Sequence, residues 1–122
     1  MDGVYELYLR GCDLLDHGDH EAAIVPLTRA RELEPTKTSI REALGRALFH
    51  AQHYKRAAAE FQAVVAAAPT NDYALFCLGR SMQMLGRHRE ACRPLAVACS
   101  MSPAREDYRV YRDRARRDAA RS

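Results

Sequence analysis

Apolar residues in this chain recur at helical spacing, and the block they form then recurs as a whole. Val4, Leu7, Gly11, Leu14 and Leu15 follow one another three or four positions apart, His17-Gly18-Asp19 interrupts the run, and Ala23, Leu27, Ala30 and Leu33 resume it up to Pro35. That spacing puts the apolar groups on one face of a 3.6-residue helix. It predicts two amphipathic helices joined by a short break, the second stopped by a residue that can neither donate a backbone hydrogen bond nor continue the helix. The block then repeats: Gly11, Gly45 and Gly79 lie 34 residues apart, as do Ala23, Ala57 and Ala91, and Pro35, Pro69 and Pro103. Three residue types in one phase mark an internal repeat. Six helices are expected, over residues 4–16, 20–33, 38–51, 54–67, 72–85 and 88–101, with Asp19 as the N-cap of the second and Asn71 beside the start of the fifth. The loops between them are short, so successive helices run antiparallel.

The small residues have a packing meaning. Glycine inside a helix costs about 1 kcal/mol relative to alanine. Its return at one position in all three blocks implies that a close approach between the two helices of a unit offsets that cost. The stretches Leu7-x-x-Arg10-Gly11-x-x-Leu14, Leu44-Gly45-x-x-Leu48 and Leu78-Gly79-x-x-Met82 are followed by Ala23 and Leu27, Ala57 and Phe61, and Ala91 and Leu95. Together they resemble the tetratricopeptide repeat (TPR), a 34-residue helix-turn-helix unit. The resemblance covers residues 4–105 as repeats 4–37, 38–71 and 72–105. It implies one all-α domain, a right-handed α-solenoid whose first helices (A) line a concave face. Two positions depart from the pattern. Arg41 stands where Leu7 and Leu75 supply a large apolar group, and Val64 replaces the small residue given by Ala30 and Ala98. Packing around the second unit is therefore expected to be less regular.

Beyond Pro103 the pattern changes. Tyr108, Tyr111, Ala115 and Ala119 form a narrow apolar stripe among seven arginines, which predicts a seventh helix over about 105–120 capping the last unit. Residues 1–104 carry 12 basic and 12 acidic side chains and residues 105–122 carry 7 and 4, so the whole net charge of +3 sits in this tail. An arginine-rich helix can touch nucleic acid or an acidic partner. Four interspersed carboxylates and few stacking aromatics favour a solvated capping face instead.

At 122 residues the chain has the length of one domain, and three stacked units are about the minimum that buries a common core. The start, Met1-Asp2-Gly3-Val4-Tyr5-Glu6, lacks a basic region followed by an apolar run, and no stretch of 18 apolar residues occurs, so a cytoplasmic location without membrane contact is expected. Cys12, Cys77, Cys92 and Cys99 form no C-x-x-C pair and read as reduced, mostly packing residues. His17 and His20, and His50 and His53, have the i, i+3 spacing of metal ligands, but His20 and His88 share a repeat position with Tyr54, a packing site. No nucleophile signature and no glycine-rich phosphate loop is present. No catalysis, metal or cofactor is expected.

The resemblance also implies where a partner would sit. The groove positions of the A helices correspond to Tyr5, Tyr8, Cys12 and Asp16 in the first unit, Glu42, Arg46, Phe49 and His50 in the second, and Tyr73, Phe76, Cys77, Arg80 and Met84 in the third. Arg46 and Arg80 share a repeat position and should project side by side, suited to holding a carboxylate bidentately. The alternative is that they pair with Glu42, Asp16 or solvent. Tyrosines and phenylalanine would add rigid contact area. The expected function is a non-enzymatic adaptor or chaperone-like module, binding a peptide or protein segment with acidic and apolar side chains. Self-assembly through the solenoid ends, a secretion-type chaperone and weak nucleic-acid association through the tail are the competing readings. One TPR subclass clamps the terminal carboxylates of heat-shock chaperone tails with lysine, asparagine and arginine. Those positions are Tyr8, Cys12, Ala43, Tyr73 and Cys77 here, so that clamp is absent.

Overall fold

The computed structural model describes residues 3–121, which form seven α-helices and no strand. They are α1 (Val4–Asp16), α2 (His20–Leu33), α3 (Thr38–His50), α4 (Tyr54–Ala67), α5 (Asp72–Met84), α6 (His88–Met101) and α7 (Glu106–Arg121). Each helix packs on its neighbours in sequence, and α1, α3, α5 and α7 also touch in succession, the arrangement of an α-solenoid. None of the described helices is long and apolar enough to cross a membrane.

The turn inside each unit explains the helix ends. Gly18, Gln52 and Gly86 hold one repeat position and share a left-handed backbone, with φ of 80°, 69° and 76°. Around each, two amides bond back into the finished helix: Gly18 N to Leu15 O at 3.0 Å and Asp19 N to Leu14 O at 2.8 Å, with the same pairs at Gln52 and His53 and at Gly86 and Arg87. This Schellman closure satisfies carbonyls the helix would otherwise leave open. It ends α3 and α5 one residue sooner than the periodicity suggests, with Ala51 and Leu85 as C-caps. It also sets the backbone entering the next helix: Asp19 stands at the N-cap of α2, but its side chain makes no capping bond. Asn71 does cap, its Oδ1 accepting from Ala74 N at 3.0 Å.

Within each unit the two helices meet through the glycine. A Cβ on Gly45 would lie 2.8 Å from Phe61 Cζ, one on Gly79 would lie 2.5 Å from Leu95 Cγ, and one on Gly11 would overlap Leu27 Cγ. Leu27, Phe61 and Leu95 are fully buried, as are Ala23, Ala57 and Ala91. Val64 is equally buried, so the larger residue at the small position is accommodated. Arg41 does not loosen the second unit either. Its Nη1 donates to Glu60 Oε1 at 3.1 Å and its Nε to Pro35 O at 2.6 Å, while Arg31 from α2 pairs with the other oxygen of Glu60. Glu60 is 5% exposed and stands where α2 and α6 carry the buried prolines Pro26 and Pro94. The departure thus becomes a charged tie between units rather than a defect.

The two ends of the array differ from its middle. Ile40, Leu44 and Ala47 of α3, and Ala74, Leu78 and Ser81 of α5, are buried against the preceding unit. Their counterparts in α1 are Glu6, Arg10 and Asp13, all exposed. At the other end α7 covers the last unit: Tyr108 is fully buried and stacks on Phe76 at 4.6 Å, and Ala115 is fully buried against Ala91 and Leu95. The Tyr108 hydroxyl donates to Asp72 Oδ2 at 3.1 Å beside Ser102 Oγ at 2.8 Å, and Gln83 Nε2 donates to Tyr111 O at 3.0 Å. The Ser102 hydrogen bond, aided by Tyr108, holds the Asp72 carboxyl below its ordinary value of 3.8.

Three stability measurements follow from this packing. Gly11→Ala gains about 1 kcal/mol of helix propensity but pushes Leu27 out of place, an overpacking penalty of about 1–3 kcal/mol, so a net loss is expected in chemical denaturation. Gln52→Gly relieves a left-handed residue worth about 1–2 kcal/mol and gives back part through chain entropy, so the midpoint should rise by about 0.5–1 kcal/mol equivalent. A carboxyl depressed in the folded state stabilises above its unfolded value and loses that contribution as the pH falls through the folded one. Stability should therefore drop below about pH 4, and Asp72→Asn should flatten that acid limb while costing about 1 kcal/mol at pH 7.

Candidate functional site

A solenoid turns one row of helices inward, and here that row is α1, α3, α5 and α7. On a helix, residues three and four apart share a face, so Glu42, Arg46, Phe49 and His50 project together from α3, as Tyr73, Phe76, Cys77 and Arg80 do from α5. Between these helices and α7 lies a cleft of about 400 Å³. It gathers Arg46, Phe49, His50, Tyr73, Phe76, Cys77 and Arg80 from the expected set and adds Phe61, Asp107 and Tyr111.

The other expected residues lie elsewhere along the wall. Tyr5 and Tyr8 line a separate recess of about 390 Å³ near the start of the array, with Val4, Glu34, Lys37, Ser39 and Ile40. Cys12 is half-buried against the main core, and Glu42 accepts from Asn71 Nδ2 at 3.1 Å. Met84 and Asp16 are exposed and line neither recess.

The two arginines at the shared repeat position have different surroundings. Arg80 donates from Nη1 to Gln83 Oε1 at 2.9 Å, and its guanidinium carbon lies 3.9 Å from the centre of the Tyr111 ring and 5.8 Å from that of Phe49. Burial lowers its pKa, and the positive charge of Arg114 adds to this. Glu42, Asp16 and solvent are thus not its main partners. Arg46 is half-buried and makes no hydrogen bond or ion pair among the described residues. A guanidinium in that position keeps its five donors for something else.

Glu42 stands one turn before Arg46 on α3, and the other neighbours of Arg46 carry no negative charge. Burial pushes the Cys77 thiol up to about 12, and burial followed by the adjacent Cys77 raises the Tyr73 phenol above its ordinary value. Tyr8 is raised by burial and by its hydrogen bond with Cys12. Burial, and then the charges of His20 and Arg46, lower the pKa of His50, whose ring stacks on His20 at 4.7 Å. At neutral pH this surface presents aromatic rings, the undissociated Cys77 thiol and arginine charge, with the carboxyl group of Asp107 at its edge. Cys77 in this state is not a nucleophile. Among the described residues no three His, Cys, Asp or Glu side chains come together as a metal-holding group.

Sequence reasoning missed the contribution of α7. Tyr111 reads as part of the capping stripe, yet its ring forms a cleft wall. Arg114, read as one of several tail arginines, lies 34 residues after Arg80 and so continues the series 46, 80, 114. Its guanidinium carbon is 4.8 Å from the centre of the Tyr111 ring, on which Arg80 also sits. Extending the repeat count past Pro103 would have found it.

Comparison with known proteins agrees with this fold. No curated protein matches the chain in sequence. Among solved structures, the first TPR of Spaghetti (RPAP3) bound to the HSP90 peptide SRMEEVD is similar at a TM-score of 0.89 and 16% identity, over 96% of this chain and 93% of that one. The Arabidopsis OM64 TPR domain gives 0.88 and 17%, over 93% and 94%. YrrB, described as a TPR protein with an unusual peptide-binding site, gives 0.84 and 22%, over 93% of this chain and 58% of its own. At these identities the likeness carries the fold. The tetratricopeptide repeat family profile matches residues 8–72, more than half of the 122. With the 34-residue glycine-alanine-proline register and the paired helices it specifies, this chain belongs to the tetratricopeptide repeat family.

Proposed function

We propose that the chain is an adaptor or chaperone-like module that holds a protein segment in the cleft between α3, α5 and α7. Proteins of this family are generally non-enzymatic interaction modules, and two of the similar structures are described by the peptides or peptide site they carry. The observation that carries the reading is Arg46: a half-buried residue whose guanidinium makes no hydrogen bond or ion pair among the described residues, in a wall of Phe49, Tyr73 and Phe76. A carboxylate there would be met by charge-assisted, bidentate hydrogen bonds in partly desolvated surroundings, where such bonds are strongest. The aromatic rings would take an apolar side chain beside it. The peptide named with the RPAP3 structure, SRMEEVD, combines acidic and apolar residues.

The heat-shock clamp itself has no counterpart, because Tyr8, Cys12, Ala43, Tyr73 and Cys77 supply no cation at its positions. The segment we infer is therefore acidic and apolar but is not held by that clamp. End-to-end self-assembly is less favoured than capture of a segment. Glu6, Arg10 and Asp13 interrupt the first unit's outer face with charge around the exposed Leu9, and α7 covers the last unit with Val110 among its exposed polar residues, so the apolar surface at each end is broken by polar groups, unlike the faces buried inside the array. An open groove of this size buries on the order of 1,000–1,500 Å² in total, which suits a transient complex.

Selection from a displayed library of random dodecapeptides tests the reading. Selected peptides should be enriched in acidic and apolar residues and should shift the backbone NMR signals of α3 and α5. Arg46→Ala should weaken their binding by about tenfold or more, while thermal unfolding stays within about 0.5 kcal/mol of the parent. Arg80→Ala should weaken binding too and also lower stability, since it removes the stack on Tyr111 and the bond to Gln83. A selection that yields no peptide sensitive to Arg46 would sink the proposal.

A further inference from the structure

Three arginines follow the repeat register through the last three inward helices: Arg46 on α3, Arg80 on α5 and Arg114 on α7. Equivalent side chains on successive units are displaced by one helix-to-helix step, about 10 Å. The last two are tied to one ring, with guanidinium carbons 3.9 Å and 4.8 Å from the centre of Tyr111, so they cannot be more than about 9 Å apart. Arg46 and Arg80 line the same cleft and both act electrostatically on Cys77. The result is a series of three cations, Arg46 and Arg80 lining the cleft and the exposed Arg114 beside its Tyr111 wall. Aromatic rings accompany them: Phe49, Tyr73 and Phe76 line the cleft with the first two, and the Tyr111 ring contacts the last two.

Resting on the reading above, we infer that the cleft is matched to a polyproline-II segment with an acidic residue at every third position. That conformation has three residues per turn and a rise of 3.1 Å per residue, so residues i, i+3 and i+6 share one face about 9 Å apart. This is close to the helix-to-helix step that separates equivalent positions on α3, α5 and α7. The intervening residues, proline or another apolar type, would meet the aromatic rings, as in other aromatic-lined grooves that take extended proline-rich ligands. An ordinary β-strand fits less well. Its side chains alternate faces, so acids three apart point in opposite directions.

Charge complementarity favours a peptide over a nucleic-acid strand. Glu42 sits one turn before Arg46 on α3, and Asp107 lines the cleft beside Tyr111. These carboxylates repel a backbone that carries an anion at every unit. They tolerate a ligand whose anions fall only at the arginine positions.

The test uses the full chain and three synthetic nonapeptides of one composition, six prolines and three glutamates, differing only in order. The first has Glu at positions 2, 5 and 8, the second at 2, 4 and 6, and the third at 4, 5 and 6. Isothermal titration should show the first binding at least tenfold more tightly than either other, with NMR shifts on α3, α5 and α7. Arg114→Gln should lower the affinity of the first peptide by about tenfold while leaving the other two within about twofold, and circular dichroism should show the fold retained. Equal affinity for all three, with shifts still confined to the cleft, would overturn the spacing while leaving peptide capture in place. Shifts elsewhere, or no binding of these peptides together with no Arg46-sensitive library peptide, would overturn both. Oligothymidylate binding the cleft more tightly than the first peptide, with affinity falling steeply in salt, would overturn the inference in favour of a nucleic-acid strand.

Discussion

The contact between an A-helix glycine and the large side chain of its B helix governs this molecule. Gly11 against Leu27, Gly45 against Phe61 and Gly79 against Leu95 leave no room for a methyl group. Three times the chain accepts a weak helix former to bring two backbones close. That closeness fixes the angle at which each pair leaves the next, and so decides that α1, α3, α5 and α7 share the inward side. The cleft between α3, α5 and α7 follows from a packing constraint that lies behind it.

The C-terminal helix has two duties that arise from one placement. Tyr108 and Ala115 cover the last unit, with Tyr108 fixed by its hydroxyl on Asp72 and its ring on Phe76. Docked that way, α7 occupies the site of a further A helix, so its next residues point into the groove. Tyr111 meets Arg80 there, and Arg114 contacts the same ring. A cap built to end a solenoid thereby becomes a wall of the site.

Polar chemistry is partitioned with equal economy. Glu60, nearly buried, is answered by Arg31 and Arg41 on the side where units join, a position where the other units use apolar side chains. In the cleft, by contrast, Arg46 makes no ion pair among the described residues, and its neighbours Tyr73 and Cys77 stay protonated at neutral pH. Charge is neutralised where the structure is closed and left available where it is open. A buried ion pair that loses one partner is strongly destabilising, which makes the Glu60 tie a structural feature.

Much of this was legible in the residues alone. The 34-residue register of glycine, alanine and proline determined six of the helices, and the stripe of Tyr108, Tyr111, Ala115 and Ala119 the seventh, with nearly every boundary, because periodicity and chain-stopping residues act locally. The resemblance to the tetratricopeptide repeat, not the register itself, implied that Arg46, Phe49, His50, Tyr73, Phe76, Cys77 and Arg80 face the groove. It misjudged Arg41, whose partner Glu60 is nineteen positions away and could be found only once α3 and α4 were folded together. It separated Tyr111 and Arg114 from the groove because α7 lacks the glycine and proline that announce a repeat. Which arginine is tied and which is left open was decided by tertiary structure alone. The pairing depends on distances across helices, and side-chain spacing along one helix does not contain them.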